Sequence, residues 1–76
     1  MPEIAERLRR ARQIRGLSRR GLSLQASLAQ AVVGRIERGD VAEPSVTTLA
    51  KLSAALDVSL DWLVRGEGEG PVREAS

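Results

Sequence analysis

Nine of the eleven arginines in this 76-residue chain fall before residue 39, at positions 7, 9, 10, 12, 15, 19, 20, 35 and 38. A guanidinium is planar, permanently charged and forked, so it binds a phosphate or a guanine edge through two parallel hydrogen bonds. Against these nine stand Glu3, Glu6 and Glu37, leaving the first half at 9 − 3 = +6. The second half sets Lys51, Arg65 and Arg73 against Asp40, Glu43, Asp57, Asp61, Glu67, Glu69 and Glu74, or 3 − 7 = −4. The formal net charge of +2 therefore hides a polarised chain that turns one basic surface toward a polyanion. A GC-rich genome would also raise Arg over the single Lys, and that origin of the bias stays open.

Other chemistries have few residues to work with. There is no Cys and no His, which removes disulfides, thiolate metal sites, the commonest metal ligand and the commonest general base. An enzyme would rely on Ser, Asp, Glu and one Lys in a domain barely large enough for a pocket, so neither catalysis nor a cofactor is expected. No segment approaches the ~20 apolar residues of a membrane span. The opening Met1-Pro2-Glu3 with mixed Arg and Leu lacks an apolar signal core, so the expected location is the cytoplasm or the nucleoid within it. The length suits one domain whose core supplies roughly 3–5 kcal/mol of net stability, a range in which dimerisation is a common supplement.

The elements that must carry the arginines are five short helices. The first is expected from about Pro2 to Arg15, with Ile4, Ala5, Leu8 and Ala11 inward, acids in its first turn and Gly16 at its end. Ser18 caps a second helix running to about Ala26, with Leu22 and Ala26 inward and Gly21 weakening it. A third is expected over about Ala29 to Arg38, with Val33 and Ile36 inward and Gly39 as a left-handed stop. Ser45 caps a fourth, whose apolar face is Val46, Leu49, Leu52 and Leu56, and Asp57 takes the turn. Ser59 caps a short fifth helix whose Leu60, Leu63 and Trp62 close the core. The run Gly-Glu-Gly-Glu-Gly-Pro that follows has nothing to bury, so residues 1–65 form the domain and 66–76 a disordered tail.

The stretch Leu17-Ser18-Arg19-Arg20-Gly21-Leu22, continuing to Gly34-Arg35-Ile36-Glu37-Arg38-Gly39, resembles the Cro/C1-type (XRE-like) helix-turn-helix repressors. Ile4-Ala5-Glu6-Arg7-Leu8-Arg9, Pro44-Ser45 with Thr48-Leu49-Ala50-Lys51-Leu52, and Leu56-Asp57-Val58-Ser59-Leu60-Asp61-Trp62-Leu63 fit the same family in the same order. The resemblance covers residues 4–65 and implies an all-α, five-helix, lambda-repressor-like fold with the helix-turn-helix at helices 2 and 3. It also implies a sequence-specific transcriptional regulator that binds double-stranded DNA as a homodimer on an inverted repeat. In such proteins helix 2 lies across the sugar-phosphate backbone while helix 3 enters the major groove.

Carried onto this chain, the resemblance places Gln30, Ala31, Val32, Gly34 and Arg35 at base edges. Gln30 suits adenine, Arg35 suits guanine, and Ala31 or Val32 suits a thymine methyl. Arg9, Arg10, Arg19, Arg20 and Arg38 become phosphate contacts, which hold register without reading sequence. Arg12 and Glu37 match a structural ion pair between helices 1 and 3, and Glu37→Ala would cost about 2–4 kcal/mol. The dimer surface is expected around Trp62 and Val64.

Four features depart from the family pattern. Ser27 stands where the turn usually has Gly, Ala29 where Ser or Thr usually caps helix 3, and Asp40 to Glu43 where the loop is often basic. Ala31, Val32 and Gly34 leave helix 3 with few hydrogen-bonding groups beyond Gln30 and Arg35. The alternative reading is a protein-interaction module or antitoxin-like partner with weak base readout, motivated by the apolar Leu24, Leu28, Ala31 and Val32.

Overall fold

The computed structural model describes residues 3–41 and 43–71. The expected first-turn role of Pro2 and the last five residues of the expected tail lie outside these. Five helices follow one another: α1 (Glu3–Ile14), α2 (Arg19–Gln25), α3 (Val32–Glu37), α4 (Val46–Leu56) and α5 (Leu60–Arg65). Among the described residues there is no strand, and no helix is long and apolar enough to cross a membrane.

Serine hydroxyls open three of the helices. Ser18, Ser45 and Ser59 hold extended backbone and accept from the amides of Gly21, Thr48 and Trp62 respectively, which satisfies donors that have no partner inside the helix. Four helices close in one way. At Gly16, Ser27, Gly39 and Asp57 the backbone turns left-handed, with φ of 71°, 62°, 83° and 59°. Each of these amides bonds back three residues, and the next amide bonds back five (Leu17 to Arg12, Leu28 to Ser23, Asp40 to Arg35, Val58 to Ser53). This is the Schellman arrangement, and Leu17, Leu28 and Val58 carry the apolar side chain that usually follows it into the core. Glycine adopts the left-handed region freely, whereas Ser27 and Asp57 do so at about 1–2 kcal/mol each.

All five helices contribute to one core of Leu8, Ala11, Leu22, Ala26, Val33, Ile36, Leu49, Leu52, Leu56, Val58 and Leu63. The inward positions expected from periodicity are buried except at the edges. Val46 is 72% exposed, because α4 begins at that residue and the helix reaches the core only from Leu49, which is 5% exposed. Leu60 and Trp62 are only partly buried and pack against the outside of the cluster.

The other departure concerns α3, which starts at Val32 rather than near Ala29. Neither Ala29 nor Ala31 has a side-chain acceptor for the helix's free amides, and Ala31 makes no capping bond. Residues 30 and 31 therefore form a turn, with the Val32 amide bonding back only three residues to Ala29 at 3.1 Å.

Residues 66–71 run back across α5. The Ser59 amide donates to the Glu69 carbonyl at 2.9 Å, and Gly70 lies on the Trp62 indole so closely that a Cβ there would sit 2.6 Å from Nε1.

Candidate nucleic-acid interface

The interface is built on the joint between α2 and α3. Gly21 lets α2 begin tightly, since a Cβ there would stand 3.0 Å from the capping Ser18 hydroxyl. The next turn presents Ser23, whose side chain is fully buried. Its hydroxyl donates to the Arg19 carbonyl at 3.0 Å and accepts from the Val33 amide at 3.0 Å. A residue of α2 thus supplies the capping acceptor that α3 lacks. Ser23 was not singled out in the sequence. An accounting of α3's amides points to it, because a helix start without a capping side chain must find its acceptor elsewhere.

The far end of α3 is held by charge. Glu37 is buried, with its side chain only 1% exposed, and three arginines from two other helices surround its carboxylate. Arg12 of α1 grips it with both prongs of the fork, Nε to Oε2 at 2.7 Å and Nη2 to Oε1 at 3.1 Å, and also donates to the Leu17 carbonyl at 2.9 Å. Arg19 of α2 donates to Oε1 at 3.3 Å, and Arg9 of α1 stands 3.6 Å from the same oxygen. An acid in the last turn of a helix opposes the macrodipole. The three guanidinium groups offset that penalty and tie α1, α2 and α3 together.

Around this frame the sequence-designated residues occupy different environments. Gln30 and Ala31 are exposed, and they lie in the turn before α3 rather than within it. Arg35 is exposed on α3, while Val32 is half-buried against the core. Gly34 is buried beneath two arginines: a Cβ there would meet Arg38 Nη1 at 3.4 Å and Arg19 Cδ at 3.5 Å.

Arg10 and Arg20 are exposed and enter no ion pair among the described residues. Arg9 and Arg19 remain 40% and 56% exposed at the side chain although both face Glu37. Arg38 is tied to Asp40, with Nε to Oδ2 at 3.2 Å and Nη2 to Oδ2 at 3.1 Å, both side chains more than half exposed. The acidic loop therefore engages one of the cations designated for phosphate.

On the opposite side, Val64 is 37% exposed and Trp62 is overlain by Gly70. Arg7, another residue not singled out in the sequence, donates to the Leu63 carbonyl at 3.0 Å and the Val64 carbonyl at 2.8 Å. A cation at the carbonyl end of α5 complements the macrodipole and fastens α5 to α1.

Two helices joined by a tight left-handed turn, with an exposed polar edge between basic flanks, define a helix-turn-helix domain. The chain belongs to the Cro/C1-type helix-turn-helix family: a family model described as helix-turn-helix matches residues 8–63. The family consists of DNA-binding regulators and not of enzymes. The HTH-type transcriptional regulator SinR of Bacillus licheniformis is 35% identical over 66 residues, covering 87% of this chain and 60% of that protein. The chain thus spans about 60% of the length of this curated relative.

Among solved structures, the N-terminal DNA-binding domain of SinR from Bacillus subtilis superposes with a TM-score of 0.79 at 29% identity, covering the whole of both chains. A structure of SinR, the master regulator for biofilm formation, in complex with DNA matches with a TM-score of 0.76 at 36% identity, over 80% of this chain and 97% of that one.

Proposed function

We propose that this protein is a sequence-specific transcriptional regulator, a repressor that binds an inverted repeat in double-stranded DNA as a homodimer. The observation that carries this reading is the α2–α3 face. There Gln30, Ala31 and Arg35 are exposed, as are Arg19, Arg20 and Arg38, while Glu37, the one acid of α3, is buried. In the major groove Gln30 pairs with adenine and Arg35 with guanine, while the Ala31 and Val32 methyl groups meet thymine. Gly34 contributes by leaving room for the Arg38 guanidinium and the Arg19 Cδ methylene that cover it. Arg9, Arg10, Arg19, Arg20 and Arg38 contact phosphates. Two copies pair through the α5 side, around Trp62 and Val64, with residues 66–71 forming part of that surface. The protein works in the cytoplasm at the nucleoid. The DNA complex of the SinR relative supports the docking mode, since that chain shares this fold at 36% identity.

Selection of a random duplex pool by the purified protein, followed by sequencing and fluorescence-anisotropy titration, tests the proposal. The selected duplex should bind far more tightly than a scrambled one near 0.15 M salt. Affinity should fall with a logarithmic salt slope of about −0.9 for each phosphate neutralised. Arg35→Ala should relax discrimination at one base position by about 1–3 kcal/mol and leave the other positions unchanged. Equal binding of selected and scrambled duplexes would refute sequence-specific regulation.

A further inference from the structure

We propose that Ser23 is the positioning residue for the base-reading edge, setting where Gln30 and Ala31 sit relative to the phosphate-facing arginines of α2. The inference rests on the DNA-binding reading above and adds a specificity determinant that makes no contact with DNA itself. Gln30 and Ala31 belong to a turn that has no capping side chain of its own. The regular bonds from α3 into that turn, Val32 to Ala29 and Arg35 to Ala31, both at 3.1 Å, stay within the turn and its own helix, and the first is a three-residue link of weaker geometry than an α-helical bond.

What ties the turn and the start of α3 to α2 is the next amide, Val33, which donates to Ser23 Oγ at 3.0 Å in a buried position. The hydroxyl has one proton, and the Arg19 carbonyl takes it at 3.0 Å. Its lone pairs are thereby aimed at Val33, and the carbonyl that aims them belongs to Arg19. One hydroxyl therefore links the first residue of α2, designated for phosphate, to the first turn of the recognition helix. Without it the Val33 amide is buried without an acceptor, and residues 29–32 lose their hydrogen-bonded tie to α2. The arginines remain where they are, because Glu37 holds Arg19 independently at the other end of α3.

Ser23→Ala in the full chain separates these contributions, with Leu56→Val in α4 as a destabilising control remote from the joint. Two readouts are taken: amide hydrogen exchange by NMR, and the ratio of affinities for the selected and scrambled duplexes. In Ser23→Ala, exchange at Val33 should accelerate at least tenfold more than exchange at Leu52 and Leu63. The affinity ratio should fall about five- to tenfold, while affinity for scrambled duplex stays within twofold of the parent. Leu56→Val should accelerate all three amides together and preserve the ratio.

If Ser23→Ala does not fold, Ser23→Cys, which keeps a weak acceptor in the same place, is read by the same criteria. The proposal is overturned if Val33 exchanges in step with Leu52 and Leu63, or if the folded variant keeps the parent's affinity ratio. If the parent protein binds no duplex, the DNA reading itself fails. Val33 exchange then still decides whether Ser23 anchors the turn.

Discussion

Replacing Glu37 by Ala should be among the most damaging single substitutions in this protein. The Glu37 carboxylate is 1% exposed and Arg12, its bidentate partner, is 11% exposed, so truncation leaves a guanidinium in the interior with its main counterion gone. Breaking a buried pair in this way costs about 3–5 kcal/mol. Arg12 keeps its bond to the Leu17 carbonyl, which favours the lower end. The contributions of Arg9 and Arg19 are smaller, because half-exposed pairs are worth about 0.2–1 kcal/mol each.

A loss near 3 kcal/mol approaches the whole stability expected of a domain this small, about 3–5 kcal/mol. Glu37→Ala should therefore keep only about 0–2 kcal/mol, with up to about half of the molecules unfolded at 25 °C. Glu37→Gln, which keeps an acceptor, should lose less. Urea denaturation followed by far-UV circular dichroism and by the fluorescence of Trp62 measures both variants. The deficit should persist in 1 M salt, since buried pairs are poorly screened. A loss below about 1 kcal/mol for Glu37→Ala would show that the cluster does not hold α1 against α3.

Two further substitutions test the helix ends. Ser27→Gly should raise stability by about 0.5–1 kcal/mol, because the φ of 62° at that position suits glycine and the relief exceeds the added freedom of the unfolded chain. Its urea midpoint should rise with an unchanged slope. Arg7→Met should lose about 1–2 kcal/mol, since it removes two charge-assisted bonds to the carbonyls of Leu63 and Val64. Its melting temperature should fall by roughly 4–8 °C per kcal/mol, and amides in α5 should exchange faster than those in α4.

The order and number of helices are legible in the chain because their signals are local. Ser18, Ser45 and Ser59 stand directly before apolar stripes of helical period, and Gly16, Gly39 and Asp57 stand directly after them. Ser27 carries no such signal, since serine seldom turns left-handed, yet its position relative to the family pattern already marks the turn. The start of α3 was hidden for a different reason. The periodicity of Val33 and Ile36 extends naturally back to Ala29, and nothing nearby shows that the first capping acceptor comes from ten residues earlier in the chain.

Val46 illustrates the opposite case, a residue with the right period that stands at the helix start, outside the core that Leu49 enters. At the interface, residue identity gave the basic face and the Arg12–Glu37 pairing through resemblance. That Arg9 and Arg19 share the same carboxylate depends on three helices meeting at one point.

That shared carboxylate divides the arginines by task. Arg9, Arg12 and Arg19 converge on Glu37, and Arg38 is tied to Asp40, so four of the nine amino-terminal guanidinium groups already have an acidic partner. Arg10, Arg20 and Arg35 are exposed and in no ion pair among the described residues. A phosphate approaching the second group meets cations with nothing to give up. A phosphate approaching Arg19 competes with a carboxylate that also holds the recognition helix in place. With the phosphate contacts proposed above, affinity and fold stability are coupled through Arg19 and separable at Arg20. Ser23 of α2 holds the start of α3, and Arg12 of α1 with Arg19 of α2 holds Glu37 at its end, so its short length of six residues is no obstacle to presenting a rigid edge. The rigidity comes from α1 and α2 together. Of the residues proposed to read bases, Gln30, Ala31 and Val32 lie just ahead of the Val33 amide that Ser23 holds, while Arg35 lies beyond it.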